Sequence, residues 1–303
     1  MRRQFDFIKW AKVWLAISLV VIAVGLVSLA TRGINLSVDY TGGTELELQF
    51  GQELTVTQVR EAVAELSGKS PAVKKVGGGE VGTDFIVTTP RLTDQERLDL
   101  VAKLKERLGT EVTVLSVDDV SGTIRSELIR NAVLAVLIAT AFQLVYIGFR
   151  FEFRSGVTAV LALVHDVLVT LGMVSLLGLE VGPAFVAAVL TIIGYSVNDT
   201  IIIFDRIREN LQRQKKGRGE SLAELVNRSL NETVARSLYT SVTVLLVLAS
   251  ILWLGGETTR DFAATLFIGT IAGAYSSVCF AAPIWYWWRQ AGEGKRPRTA
   301  GAR

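Results

Sequence analysis

Apolar residues in this chain arrive in blocks. One runs from Val13 to Ala30, and five more lie at about 128–149, 157–178, 184–204, 237–254 and 262–288. A helix needs about 20 mostly apolar residues to cross the hydrocarbon core, so these blocks predict six transmembrane helices. The first, with its charged lead, resembles the start of a signal peptide. It is long for that role, and its Ala-Thr-Arg-Gly exit is a poor small-x-small cleavage site, so residues 1–30 read as a retained first span with a cytoplasmic lead.

Between the first and second blocks the pattern changes. Thr44–Phe50 alternates apolar and polar at period two, as a half-buried strand does. Thr55–Leu66 carries Val59, Ala62, Val63 and Leu66 at helical spacing behind Thr55, an N-cap candidate. Ala72–Val76 and Asp84–Thr88 read as strands around a Gly77-Gly78-Gly79 turn. Thr93-Asp94-Gln95-Glu96 opens a helix with a capping-box pattern that ends at Gly109, and Glu111–Val117 is a last strand. The order strand, helix, strand, strand, helix, strand predicts a small ferredoxin-like α+β domain over residues 31–127.

Composition narrows the function. Of 303 residues half are hydrophobic, and the net charge of +3 gives no electrostatic footprint for nucleic acid. The single cysteine, Cys279, excludes an internal disulfide framework and a cysteine-based zinc site. The single histidine, His165, argues against a histidine-rich metal site, and no cofactor is expected.

Position matters more than total charge. Arg2, Arg3, Lys9 and Lys12 precede the first span; Arg150 and Arg154 separate the second and third. A segment at 205–235, read as a basic loop, holds Arg206, Arg208, Arg213, Lys215, Lys216, Arg218 and Arg228, and residues 289–303 form a basic tail. The two short links on the other side, Leu179–Pro183 and Gly255–Asp261, contain Arg260 alone. The excess of Lys and Arg predicts cytoplasmic termini and an extracytoplasmic 31–127 domain. Trp285, Tyr286, Trp287 and Trp288 then form an interfacial aromatic belt, and the basic tail, a topology determinant, can touch anionic membrane lipids.

Against this background the polar residues inside the spans stand out. A charged side chain at bilayer depth costs about 2.5–3.5 kcal/mol on insertion scales, so each is a functional candidate. The third span holds His165 and Asp166 near its midpoint. Adjacent helical positions diverge by about 100°, which argues against their facing one site together. The fourth holds Asn198 and Asp199, with Thr191 and Tyr195 on the face of Asp199. The fifth opens with Arg236, followed by Thr240 and Thr243. Asp199 and Arg236 stand at matching depths, and a proton on Asp199 would break an ion pair between them. Gly269, Gly273 and Ser277 in the sixth span form a small-residue ridge for helix packing. A hydrolase built on His165 and Asp166 lacks a positioned nucleophile, so no enzymatic activity is expected.

Three of these stretches together resemble one family. Gly194–Asn210 (GYSVNDTIIIFDRIREN), Val38-Asp39-Tyr40-Thr41-Gly42-Gly43-Thr44, and Arg236-Ser237-Leu238-Tyr239-Thr240-Ser241 are similar to SecF, the smaller half of the SecD–SecF accessory of the Sec protein-export machinery. The resemblance runs from the first span to the sixth. SecD shares the fold but carries a much larger outer domain, which favours SecF here. The resemblance implies a six-span half of an RND-type (resistance-nodulation-division) transporter in the inner membrane. It also implies pairing with SecD, and use of the proton motive force to assist a preprotein emerging from the SecYEG channel. Asp199 matches the family's intramembrane aspartate and Arg236 its arginine, while Asp39, Gly42 and Gly43 match a turn motif that can serve as a hinge. Tyr40 replaces the family's Phe. His165-Asp166 also looks like a family feature, to which the resemblance assigns no separate role. The pair stands with Asn198, Thr240 and Thr243 among the proton-transfer candidates beside Asp199 and Arg236. Two alternatives stay open: a scaffold subunit without its own proton path, and an RND-type exporter of a lipid or small molecule.

Overall fold

The computed structural model describes residues 5–67, 71–76, 79–214 and 220–293. Arg2, Arg3, Gly77, Gly78, Lys215, Lys216, Arg218 and the tail from residue 294 onward, all used above, lie outside the described residues. In chain order the elements are α1 (Ala11–Arg32), β1 (Asn35–Leu36), α2 (Val38–Thr41), β2 (Gly43–Thr55), α3 (Val56–Ser67), β3 (Ala72–Lys75), β4 (Val81–Thr89), α4 (Asp94–Leu108) and β5 (Val112–Val120). They continue with α5 (Gly122–Arg150), α6 (Phe153–Leu177), β6 (Glu180–Val181), α7 (Pro183–Gln214), α8 (Leu222–Leu254), α9 (Glu257–Ser276), a π-helical turn (Ser277–Ala281) and α10 (Ala282–Glu293). The chain divides into a helical unit, residues 1–35, 136–180 and 184–303, and a second unit, residues 36–135 with 181–183.

The second unit has the expected strand–helix–strand–strand–helix–strand order. Its sheet runs β3-β4-β2-β5 with every neighbouring pair antiparallel, the ferredoxin-like arrangement. Alternation along β2 buries Leu46, Leu48 and Phe50, which meet Phe85 and Val87 of β4 and the apolar faces of α3 and α4 through Val59, Val63 and Leu104. Both helix starts are capped reciprocally. Thr55 Oγ1 accepts from Gln58 N at 3.1 Å while Gln58 Oε1 accepts from Thr55 N at 2.8 Å, and Thr93 with Glu96 repeats the device on α4. Gly42 and Gly43 are required by their backbone: both have positive φ, and a Cβ on Gly43 would lie 2.4 Å from Thr89 O. Gly43 is also tied into the sheet, opposite Val120.

Among the described residues, six helical segments are long and apolar enough to cross a membrane: α1, α5, α6, α7, α8 and the continuous stretch Thr259–Gly292 through the π turn. Close approach within the helical unit depends on missing side chains. A Cβ on Gly25 of α1 would lie 2.8 Å from the Cα of Gly172 on α6, so these backbones touch directly. The ridge on α9 faces α7: Gly269 lies against Ile192 and Gly273 against Ser196. Ser277 is buried in the π turn, and its hydroxyl returns to Ala274 O at 3.3 Å.

The stretch 205–235 corrects a sequence expectation. It is mostly helix, because α7 continues to Gln214 and α8 begins at Leu222 behind a Ser221/Glu224 capping box. In place of a basic loop, its charges form ion pairs along α7, between α7 and α8, and at the start of α8. Arg206 meets both Glu209 and Glu232 at 2.6 Å, and Arg228 meets Glu220 at 2.8 Å.

Candidate functional site

Among the described residues two carboxylates are buried in the helical unit, Asp166 at 1 % exposure and Asp199 at 3 %. Asp199 lies on a face of α7 that also carries Ser196, Ile192 and Ile203, all buried. Its Oδ2 accepts a hydrogen bond from Ser237 Oγ of α8 at 2.5 Å. Ser237 belongs to a stripe of buried hydroxyls spaced four residues apart on α8: Ser229, Thr233, Ser237 and Ser241. Tyr195, one turn before Asp199, donates from its hydroxyl to Ser241 Oγ at 3.0 Å. At the far end of the stripe Asn210 Nδ2 donates to Ser229 Oγ at 2.9 Å. Hydroxyl stripe and carboxylate thus face each other along the α7–α8 contact.

The expected ion pair between Asp199 and Arg236 does not form. Arg236 is exposed, and neither a hydrogen bond nor an ion pair joins its guanidinium to Asp199 among the described residues. One residue is 100° of helix rotation, so when Ser237 points inward Arg236 points out. Thr240 and Thr243 share that outer face. Their hydroxyls bond to backbone carbonyls of their own helix, Thr240 to Ser237 O at 2.9 Å and Thr243 to Thr240 O at 2.8 Å. Asn198 and Thr191 are likewise exposed on α7.

His165 and Asp166 do meet, contrary to the expectation from their adjacency. His165 Nδ1 lies 3.0 Å from Asp166 Oδ1, because the two side chains converge over their own helix. Asp166 Oδ2 accepts from Ser196 Oγ of α7 at 2.5 Å and from Ser276 Oγ of α9 at 2.9 Å. The residues missed by sequence reasoning are therefore the serines, Ser196, Ser237, Ser241 and Ser276. Serine is too common in apolar helices to stand out alone, although the four-residue spacing on α8 was available as a signal.

In the second unit Ser37 and Asp39 surround Gly182, where a Cβ would lie 2.7 Å from Ser37 Oγ and 3.6 Å from Asp39 Oδ2. Burial, and after it the Asp39 carboxylate, push the Tyr40 phenol above its ordinary value. Among the described residues no three or more His, Cys, Asp or Glu side chains converge as a metal site would require. Both buried carboxylates thus take hydrogen bonds from hydroxyls on neighbouring helices.

Comparison with known proteins gives a consistent answer. Residues 100–291 match the family described as protein export membrane protein SecD/SecF, C-terminal, and residues 27–53 match the SecD/SecF GG motif, which covers Asp39, Gly42 and Gly43. The chain is 38 % identical to the protein translocase subunit SecF of Acidaminococcus fermentans, over 95 % of this chain and 98 % of that protein. It is 39 % identical to the protein translocase subunit SecDF of Thermus thermophilus, over 94 % of this chain but 39 % of that longer protein. The crystal structure of a Thermus SecDF, described as a translocon-associated membrane protein, superposes with a TM-score of 0.85 at 39 % identity, covering 95 % of this chain and 39 % of that one. SecDF in a super-membrane-facing form gives 0.71 at 35 % identity, covering 99 % and 41 %. The chain belongs to the SecF family of protein translocase subunits, multi-pass membrane proteins of protein export.

Proposed function

We propose that this chain couples proton movement to preprotein export, with Asp199 as the group that carries the proton. The observation that supports it most is a carboxylate 3 % exposed inside an apolar helix bundle, with a hydroxyl of the next helix at 2.5 Å. Such a group is costly to bury charged, and a change in its protonation alters its hold on its neighbour. When Asp199 takes up a proton from the outside, its bond from Ser237 Oγ falls from charge-assisted to neutral, roughly half as strong. The α7–α8 contact loosens, the helices repack, and the movement passes through α1 and α5 to the outer domain. The proton then leaves to the cytoplasm. Arg236, with Asn198, Thr240 and Thr243, lies on exposed faces of α7 and α8 open to a partner.

That partner is SecD, in the same membrane. The occurrence of SecDF as one continuous chain in a relative, of which this chain matches about two fifths, supports the pairing. The sparse packing of α5, with Ile147 its one buried residue, also suits a helix that meets another subunit. SecYEG, a translocating preprotein and membrane lipids complete the set of contacts. The Lys and Arg distribution supports cytoplasmic termini and an extracytoplasmic 31–127 domain, and membership of the SecF family supports an inner-membrane location.

The test is export of a preprotein into vesicles carrying the SecD–SecF pair, with and without a proton gradient. The gradient is expected to stimulate export in the wild type and not in Asp199→Asn. A scaffold subunit would tolerate neutralisation of both Asp199 and Arg236, and that result would replace this reading.

A further inference from the structure

Asp166 and His165 form a more connected cluster than Asp199. Asp166 is buried on α6 and gathers partners from two other helices, Ser196 Oγ of α7 and Ser276 Oγ of α9, both on Oδ2. Its Oδ1 faces His165 Nδ1. The other ring nitrogen, His165 Nε2, is buried and has no hydrogen-bond partner among the described residues. The rings of Phe280, 4.7 Å away, and Tyr275, 6.1 Å away, cover the imidazole. A neutral imidazole donates from one nitrogen and accepts at the other. With the Nδ1 proton directed at the carboxylate, Nε2 is a bare acceptor enclosed in the bundle.

The cluster also borders the irregular turn in the sixth span. Ser276 is the last residue of α9 before the π-helical turn, and Phe280 lies within it. A π turn inside an α-helix is rare and frequent at functional sites, since only tertiary contacts make its poorer geometry worthwhile. Two consecutive residues of α6 therefore touch the start and the interior of that turn. On the other side Ser196 lies one helical turn before Asp199 on the same buried face of α7.

We infer that His165 and Asp166 form a second protonation site in this chain, which sets the grip of α6 on α7 and on the π turn. A proton binds His165 Nε2, and the Nδ1 proton passes to Asp166 Oδ1. The imidazole ends neutral with its tautomer inverted, the carboxylate ends as a carboxylic acid, and one proton has been taken up. The bonds from Ser196 and Ser276 then lose their charge assistance. Both α7, beside Asp199, and the π turn are released from α6 together. This role deepens the proton-coupling reading and depends on it for its link to export.

On α9 Tyr275 donates its hydroxyl to Trp14 O at 2.5 Å, and Cys279 is a half-buried thiol of the π turn. From α7 the nearest ionisable group along the buried face is Asp199. From α1 the buried side chains Ser18 and Ser28 are uncharged, and its Lys12 and Arg32 lie at its ends. Arg154 lies in the first turn of α6, and Arg289 of α10 stacks on Trp285.

Infrared difference spectra of the reconstituted complex with its SecD partner, taken across pH, test this. Two buried carboxylic-acid bands are expected to appear as pH falls, one lost in Asp166→Asn and the other in Asp199→Asn. His165→Gln and Ser276→Ala retain Asp166 and guard against a misfolded Asp166→Asn. Each is expected to move the midpoint of the Asp166 band by about tenfold in proton concentration, the equivalent of one hydrogen bond, and to leave the Asp199 band in place. An Asp166→Asn spectrum that keeps both bands, or an Asp166 midpoint unmoved by His165→Gln, overturns the inference. An intact Asp166 band with no Asp199 band contradicts the Asp199 reading alone.

Discussion

Ser196 and Asp199, one turn apart on α7, face different partners. Ser196 Oγ donates to Asp166 of α6 at 2.5 Å, and Asp199 accepts from Ser237 of α8 at 2.5 Å. One turn of helix thus links two buried carboxylates and three helices. Rotation or sliding of α7 must change both contacts. Gly273, packed on Ser196, sets how near α9 comes to that turn.

Removing the hydroxyl of Ser237 leaves the Asp199 carboxylate buried without this partner. Ser237→Ala is expected to destabilise the helical unit by about 1–3 kcal/mol, the cost of an unsatisfied buried group. Arg236→Gln, at an exposed position, is expected to change stability by less than about 0.5 kcal/mol. Thermal unfolding of the purified protein in detergent separates the two.

The α1–α6 crossing depends on Gly25 and Gly172. An alanine at Gly172 would bring its Cβ to 2.6 Å from the Cα of Gly25, and neither backbone can yield without separating the helices. Gly172→Ala is expected to cost about 1–3 kcal/mol, as overpacking does. Gly194 has nothing within 4 Å of a built Cβ, so Gly194→Ala is expected to be neutral or to stabilise α7 by up to about 1 kcal/mol. The same thermal measurement distinguishes them.

Tyr40 makes the second unit sensitive to alkali. In the unfolded chain its phenol ionises near pH ~10. Burial and the neighbouring Asp39 hold it protonated to higher pH in the folded state. The folded state then binds more protons than the unfolded one, so stability is full below the unfolded value and falls as pH rises through the folded value. Tyr40→Phe is expected to remove that decline. It also removes a buried hydroxyl that has no hydrogen-bond partner among the described residues, with a gain of up to about 1 kcal/mol near neutral pH. Unfolding followed across alkaline pH in both proteins tests the sign.

The six spans and the βαββαβ domain were legible because they rest on block length and on periods of two and 3.6, which neighbours rarely override. Asp199 was legible because a charge in an apolar run is costly wherever the helix turns. Its partner was not. Choosing Ser237 over Arg236 requires the rotation of α8 to within one residue, and only the packing of α7 against α8 fixes that. Helical extension to Gln214 and from Leu222 was hidden because charges that pair across two helices look, in one dimension, like a solvated loop. The convergence of His165 on Asp166 depended on side-chain rotation, which the divergence of adjacent Cβ atoms does not capture. The direct contact of Gly25 with Gly172 came from two single glycines far apart in the chain, with no repeat to mark them.

Proton flux measured with a pH-sensitive dye in vesicles containing the reconstituted SecD–SecF pair tests the role of Asp199 most directly. The wild type is expected to pass protons down an imposed gradient, and Asp199→Asn to lose that flux while the pair still co-purifies. Flux equal to wild type in an assembled Asp199→Asn complex would contradict the account.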